Sequence, residues 1–176
     1  MRFDASSNRP TAADILSRAT EEELARIFTE YGEEQLAQLI ARAIITKRRQ
    51  GENVRSATML VRLISDIYRR RFRQRSKKNP STRVMQALRI AVNDEFGNIR
   101  QVLPQAVEVL ERGGRLAVIS FHSGEDRIVK NFFRDWSKGK EASLKVLTKK
   151  PVVASAREVK ANPRSRSAKL RVAEKI

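Results

Sequence analysis

Residues 116–119, Leu-Ala-Val-Ile, form an unbroken apolar run between the adjacent Gly113 and Gly114 and the sequence Ser120, Phe121, His122, Ser123. A half-buried strand alternates apolar and polar side chains, so a run without alternation predicts a strand buried on both faces of a parallel sheet. This narrows the fold to an α/β arrangement. In open α/β sheets ligands bind beyond the carboxyl ends of the strands. A site is therefore expected at residues 120–123, which include the chain's one histidine.

A chain of 176 residues can bury a sizeable core as one domain, or as a domain with a small appendage. It has no cysteine, which leaves no disulfide framework and no thiolate metal site; with a single histidine, no metal centre is expected. It has neither an N-terminal apolar stretch of signal-peptide length nor a run of about 18 apolar residues. A cytoplasmic, soluble protein is expected. The net charge is +17, from 37 basic and 20 acidic residues. Such an excess favours polyanions through phosphate neutralisation and counterion release. It is also unevenly spread: seven of the ten residues 69–78 are Lys or Arg, and from Lys138 onward twelve basic residues face three acidic ones. Surfaces this one-signed are usually avoided unless they steer a partner, so nucleic acid is expected, with a merely solvated basic face as the bland alternative.

The first half reads as helical. Thr20 and Glu23 have capping-box spacing, and Leu24, Ile27, Phe28 and Tyr31 recur with helical period up to Gly32. A second helix carries Leu36, Leu39, Ile40, Ala43 and Ile44, ends in Lys47, Arg48 and Arg49, and stops at Gly51. A third is capped by Ser56, with Leu60, Leu63, Ile64, Ile67 and Tyr68 on its apolar stripe. Residues 69–81 are too charged to bury and read as an exposed connection, which divides the chain into 1–80 and 81–176.

In the second half, residues 82–110 show helical periodicity with Gly97 and Pro104 as expected interruptions. The buried strand follows, and then a helix opened by Gly124, Glu125 and Asp126 that carries Val129, Phe132, Phe133 and Trp136. Two short strands are expected near 145–148 and 168–174, with Asn162 and Pro163 in the loop between them. Leu170 and Val172 alternate with Lys169 and Arg171, as in a half-buried antiparallel strand. This order of helices and strands ends many Rossmann-like methyltransferases.

Four segments in the same order, YGEEQLAQLIARAI (31–44), QALRIAVNDEF (86–96), GGRLAVISFHSGEDRIVK (113–130) and NPRSRSAKLRVAEK (162–175), resemble the bacterial small-subunit rRNA (cytosine-N4)-methyltransferases of the MraW/RsmH family. The opening MRFD resembles an interior segment of that family. The resemblance implies a fold that is the C-terminal part of a Rossmann-like class I methyltransferase sheet, preceded by a small α-helical substrate-recognition subdomain. It implies S-adenosyl-L-methionine as methyl donor and 16S rRNA of the small ribosomal subunit as partner. The family's early glycine-rich turn, its acidic strand residue and its DLGVSS-like segment have no counterpart here. No cofactor-binding residue is therefore assigned, and Met1 is expected to be an internal methionine of a longer gene or the start of half of a split or truncated enzyme. A homodimer or a missing N-terminal half is the expected protein partner.

For the chemistry so implied, the exocyclic amine of cytosine must be aligned and its proton accepted, with the base held out of its stack. Ser120 and His122 are the candidate catalytic residues, and Asn93, Phe121, Ser123, Arg164, Arg166 and Lys169 the candidate substrate contacts. Each has a plainer reading. His122 can simply bond neighbouring backbone, Phe121 can be core, and Asn93 can be solvent-exposed on a helix. Glu125 and Asp126 can be first-turn acids that pair with Arg127. Gly124 stands where the family usually has leucine, so a packing contact is expected to be lost there. Two rival functions are a standalone RNA-binding protein without catalysis and an inert fragment with an exposed half-sheet.

Overall fold

The computed structural model describes residues 1–4, 6, 8–72, 79–139 and 141–176. Most of the basic run at 69–78 thus lies outside the described residues. Two compact units are present, Met1–Glu95 and Phe96–Ile176.

The first unit is helical: α1 (Ala12–Arg18), α2 (Glu21–Glu30), α3 (Ala37–Arg49), α4 (Ala57–Phe72) and α5 (Thr82–Asn93). Thr20 and Glu23 close the expected capping box, the Thr20 N–H donating to Glu23 Oε2 at 2.8 Å and the Glu23 N–H to Thr20 Oγ1 at 3.2 Å. Ser56 caps α4 by accepting from the Met59 N–H. Leu24, Phe28, Ile40, Ile44, Leu60, Ile64 and Leu88 form the core. Gly32 is required where the chain leaves α2, because a Cβ there would lie 2.6 Å from the Arg83 carbonyl oxygen. Helix α1 was not expected, although Thr11 and Asp14 form a second capping box of the same kind. Of the cations ending α3, Arg48 turns inward and donates to the carbonyls of Ala19 and Leu16 at the end of α1. Glu34 is buried and accepts from the Tyr68 hydroxyl at 2.5 Å; burial, with that carboxylate beside it, pushes the Tyr68 hydroxyl up to about 12.

The expected division at residue 80 puts α5 with the second part of the chain. By its contacts α5 packs on α1 and α2, and the first unit runs to Glu95. The helical stretch breaks at Asp94, which caps α5 in the left-handed region at φ 50°. Gly97 and Pro104, the expected interruptions, both lie inside α6 (Glu95–Glu108).

The second unit adds β1 (Arg115–Ser120), α7 (Ser123–Trp136), β2 (Leu144–Val146), β3 (Val152–Val153), α8 (Ala156–Ala161), a 3-10 turn (Pro163–Ser167) and β4 (Lys169–Lys175). Strand β4 is central: β1 pairs with one edge and β2 and β3 with the other, all antiparallel. Leu103, Val107, Val129, Phe133, Leu144 and Ala173 form the core. The Lys175 ammonium donates to the Val107, Glu108 and Leu110 carbonyls, closing the end of α6. Among the described residues no helix is long and apolar enough to cross a membrane.

Two strand expectations are corrected. Strand β1 is not buried on both faces of a parallel sheet: it pairs antiparallel with β4, and Arg115, Ala117 and Ile119 face outward, Ile119 at 60% exposure. The missing alternation is real, since both faces of β1 are apolar, but among the described residues α7 and the core lie against only one of them. In β4 the phase is reversed. Arg171 and Ala173 are buried at 6% and 0% exposure, while Leu170 and Val172 are only half-buried. The inward arginine follows from a carboxylate on α7.

Candidate active site at the carboxyl end of β1

Strand β1 ends at Ser120, which is buried and donates to the Lys169 carbonyl at 3.4 Å, across the last rung of the β1–β4 ladder. Two residues on, His122 is the N-cap of α7. Its Nδ1 accepts from the Glu125 N–H at 3.4 Å, while Glu125 Oε2 accepts from the Phe121 N–H at 2.8 Å and the His122 N–H at 3.3 Å. This is a capping box with imidazole in the place usually taken by a hydroxyl. Burial pushes the Glu125 carboxyl up, but the His122 ring and the two backbone donors outweigh it and hold the group below the usual carboxylate range.

The cap fixes the histidine chemistry. With Nδ1 accepting, the ring proton of neutral His122 belongs on Nε2, a tautomer inferred from the hydrogen-bond network. Nε2 is buried and lies 3.2 Å from Glu125 Oε1, too poorly aligned to count as a hydrogen bond. In this cap Nδ1 is engaged with the Glu125 amide. His122 thus does here what its plainer reading held, bonding neighbouring backbone.

Phe121 is not core: it is 54% exposed at the strand-to-helix turn, beside the exposed Ser123. Behind the turn the Phe96 ring sits 5.7 Å from the His122 ring, centre to centre, and against Gly124. A Cβ on Gly124 would come within 2.4 Å of Phe96 Cζ, so Phe96 fills the space where a lost packing contact was expected. Gly124→Ala is therefore expected to destabilise by about 1–3 kcal/mol through overpacking. Phe96→Leu in the same chain should recover part of that loss in urea unfolding, whereas additive losses would show that the two sites are not coupled.

The remaining site residues separate. Asn93 lies in the first unit; its amide donates to the Met1 and Arg89 carbonyls and accepts from the Phe3 N–H at 2.9 Å, tying the MRFD segment to α5. Lys169 starts β4 with its ammonium 3.4 Å from Asp126 Oδ2. Arg164 and Arg166 are exposed on the 3-10 turn, on either side of the buried Ser165. The sequence reading missed the pair behind this site. Asp126 is buried and accepts from Arg171 Nε at 2.6 Å and Nη2 at 3.2 Å, a two-pronged clasp from α7 to β4. The signal available was the pair of basic residues at alternate positions, Lys169 and Arg171, which calls for an acid on the facing helix.

None of these residues fits a methyl donor. The amides of Phe121, His122 and Glu125 at the start of α7 are taken by the capping box, and Gly124 in that turn packs against the Phe96 ring.

A small antiparallel sheet, a covering helix and a polar strand-to-helix turn define a mixed α/β unit. Residues 1–176 match the model of the MraW methylase family, and the chain belongs to that family. It is 48% identical to the ribosomal RNA small subunit methyltransferase H of Heliobacterium mobile over 94% of this chain and 57% of that protein. It is likewise 48% identical to the protein of that name from Methylococcus capsulatus over 99% of this chain and 60% of the relative. For the Synechocystis relative the figures are 46%, 100% and 54%. The chain thus spans little more than half the length of these curated relatives.

Proposed function

We propose that this chain is the substrate-facing part of an S-adenosylmethionine-dependent methyltransferase that modifies the N4 amine of a cytosine in 16S rRNA. The observation that carries the reading is the match along the whole chain to relatives named for methylation of small-subunit rRNA. The site is compatible with it. Phe121 offers an exposed ring on which an extruded base can stack, and Ser123 an exposed hydroxyl beside it. His122 acts by holding the turn through its cap rather than by accepting the proton of the amine, and Ser120 fixes the end of β1. The methyl donor then binds to polypeptide corresponding to the rest of the relatives' length, which also supplies the proton acceptor.

The outward face and open edge of β1 support this division. Ala117, Ile119, Leu170 and Val152 lie opposite one another or two residues apart on one sheet face, and β1 pairs on one side only among the described residues. Open apolar edges of this kind are normally covered or charged. The test is methyl transfer from labelled S-adenosylmethionine to small-subunit rRNA, by the chain alone and after addition of the unmatched part of the Heliobacterium mobile relative. Transfer only in the mixture is expected.

A further inference from the structure

Between β2 and β4 the chain makes an excursion, residues 147–168, whose composition is not that of a packing element. It holds six cations, Lys149, Lys150, Arg157, Lys160, Arg164 and Arg166, against one acid, Glu158. All six are exposed and none has an ion pair or side-chain hydrogen bond among the described residues. Four cations elsewhere, by contrast, hold carboxylates: Arg42 with Glu21, Lys47 with Glu52, Arg115 with Glu174 and Arg134 with Asp135.

The excursion is nonetheless built. Helix α8 has no buried residue, and Val152 and Val153 of β3 are exposed. Order comes from polar ties instead. Ser155 Oγ caps α8 by accepting from the Glu158 N–H at 3.2 Å, and Asn162 Oδ1 accepts from the Arg164 N–H at 3.2 Å. The buried Ser165 hydroxyl donates to the Asn162 carbonyl at 2.8 Å. The excursion is also anchored at the candidate site. Val153 of β3 pairs with Lys169, the residue that pairs on its other side with Ser120 at the end of β1.

We propose that the β3–α8–3-10 excursion is a phosphate-tracking surface that grips the single-stranded RNA backbone flanking the target base. Unpaired cations on a polar, core-free scaffold match what backbone contacts require, since such contacts position a nucleic acid without reading its bases. The proposal deepens the reading of the β1 site as an RNA base pocket and rests on it for the identity of the polyanion.

The test is fluorescence anisotropy of the whole chain with a single-stranded RNA oligonucleotide of small-subunit rRNA sequence, across a salt series. The variant Lys149→Gln/Lys150→Gln/Arg164→Gln/Arg166→Gln removes four cations of the excursion. A charge-matched control, Arg42→Gln/Lys47→Gln/Arg115→Gln/Arg134→Gln, removes four that already hold carboxylates. With about 0.7 of log-log salt slope per phosphate contact on single strands, the first variant should lose about 2.8 of the slope, and the control far less. Equal losses in both would mean that net charge alone attracts RNA, and an unchanged slope in the first would remove the surface outright; either overturns the proposal. Should the fourfold variant fail to fold, Lys149→Gln/Lys150→Gln is expected to show about half the change. No methyl donor or second polypeptide enters the measurement, so its failure is distinguishable from failure of the methylation reading.

Discussion

Asp126→Ala is expected to lower the stability of the chain by about 3–5 kcal/mol, because it strands the buried Arg171 guanidinium without a counter-charge. That is a large part of the 5–15 kcal/mol typical of a folded domain. Asp126 and Arg171 are 8% and 6% exposed, and the two hydrogen bonds between them join α7 to β4, with Lys169 adding a longer contact to the same carboxylate. Replacing both by apolar residues, Asp126→Leu/Arg171→Met, should recover most of the loss, since a buried pair costs much of its attraction in desolvation. Urea unfolding followed by circular dichroism measures both; a loss under about 1 kcal/mol for Asp126→Ala would contradict the clasp. The pH dependence has a definite sign. The hydrogen bond from Arg171 holds the Asp126 carboxyl below its ordinary value of 3.8; burial opposes it, and the Arg171 and Lys169 charges reinforce it. A depressed folded value gives stability that is fully present above 3.8 and lost as pH falls through the lower folded value. The acid limb of the stability curve should therefore shrink in Asp126→Asn.

The second large effect is expected at the outward face of β1. The chain should form a stable complex with the unmatched part of the Heliobacterium mobile relative, and Ile119→Lys should weaken that complex. Ile119 is 60% exposed in this chain, so the substitution leaves the fold intact. If the face becomes covered, the change forfeits about 1.5–3 kcal/mol of apolar burial, or roughly tenfold to a hundredfold in affinity, before any cost of burying the ammonium. Isothermal titration of the two polypeptides reads this directly. Equal affinity for wild type and Ile119→Lys would mean that β1 is not the docking face.

What the sequence showed and hid follows from the kind of signal each element carries. Helices α2 and α4 were legible because cap and apolar period agree along them, as at Thr20, Glu23 and Leu24, and α3 by its period and its closing cations. Helix α1 carries the same cap at Thr11 and Asp14, but at seven residues it is too short for its period to stand out. The break at Asp94 was hidden because it rests on a left-handed aspartate rather than on glycine or proline. In β4 alternation fixed the period but not the phase. Hydrophobicity alone turns Leu170 and Val172 inward, whereas the Asp126 carboxylate across the sheet turns Arg171 inward. The strand-to-helix turn at the end of β1 was readable from the apolar run and the polar residues after it. The cap made by His122 was only one of two readings open there, because it depends on a bond from the Glu125 amide that only the folded turn brings within reach.

The most direct measurement is mass spectrometry of nucleosides from small-subunit rRNA incubated with S-adenosylmethionine and protein. The chain alone should leave cytidine unchanged, and the chain together with the remaining part of a relative should produce N4-methylcytidine. A mixture that binds RNA and assembles, yet yields no methylated cytidine, would contradict the account.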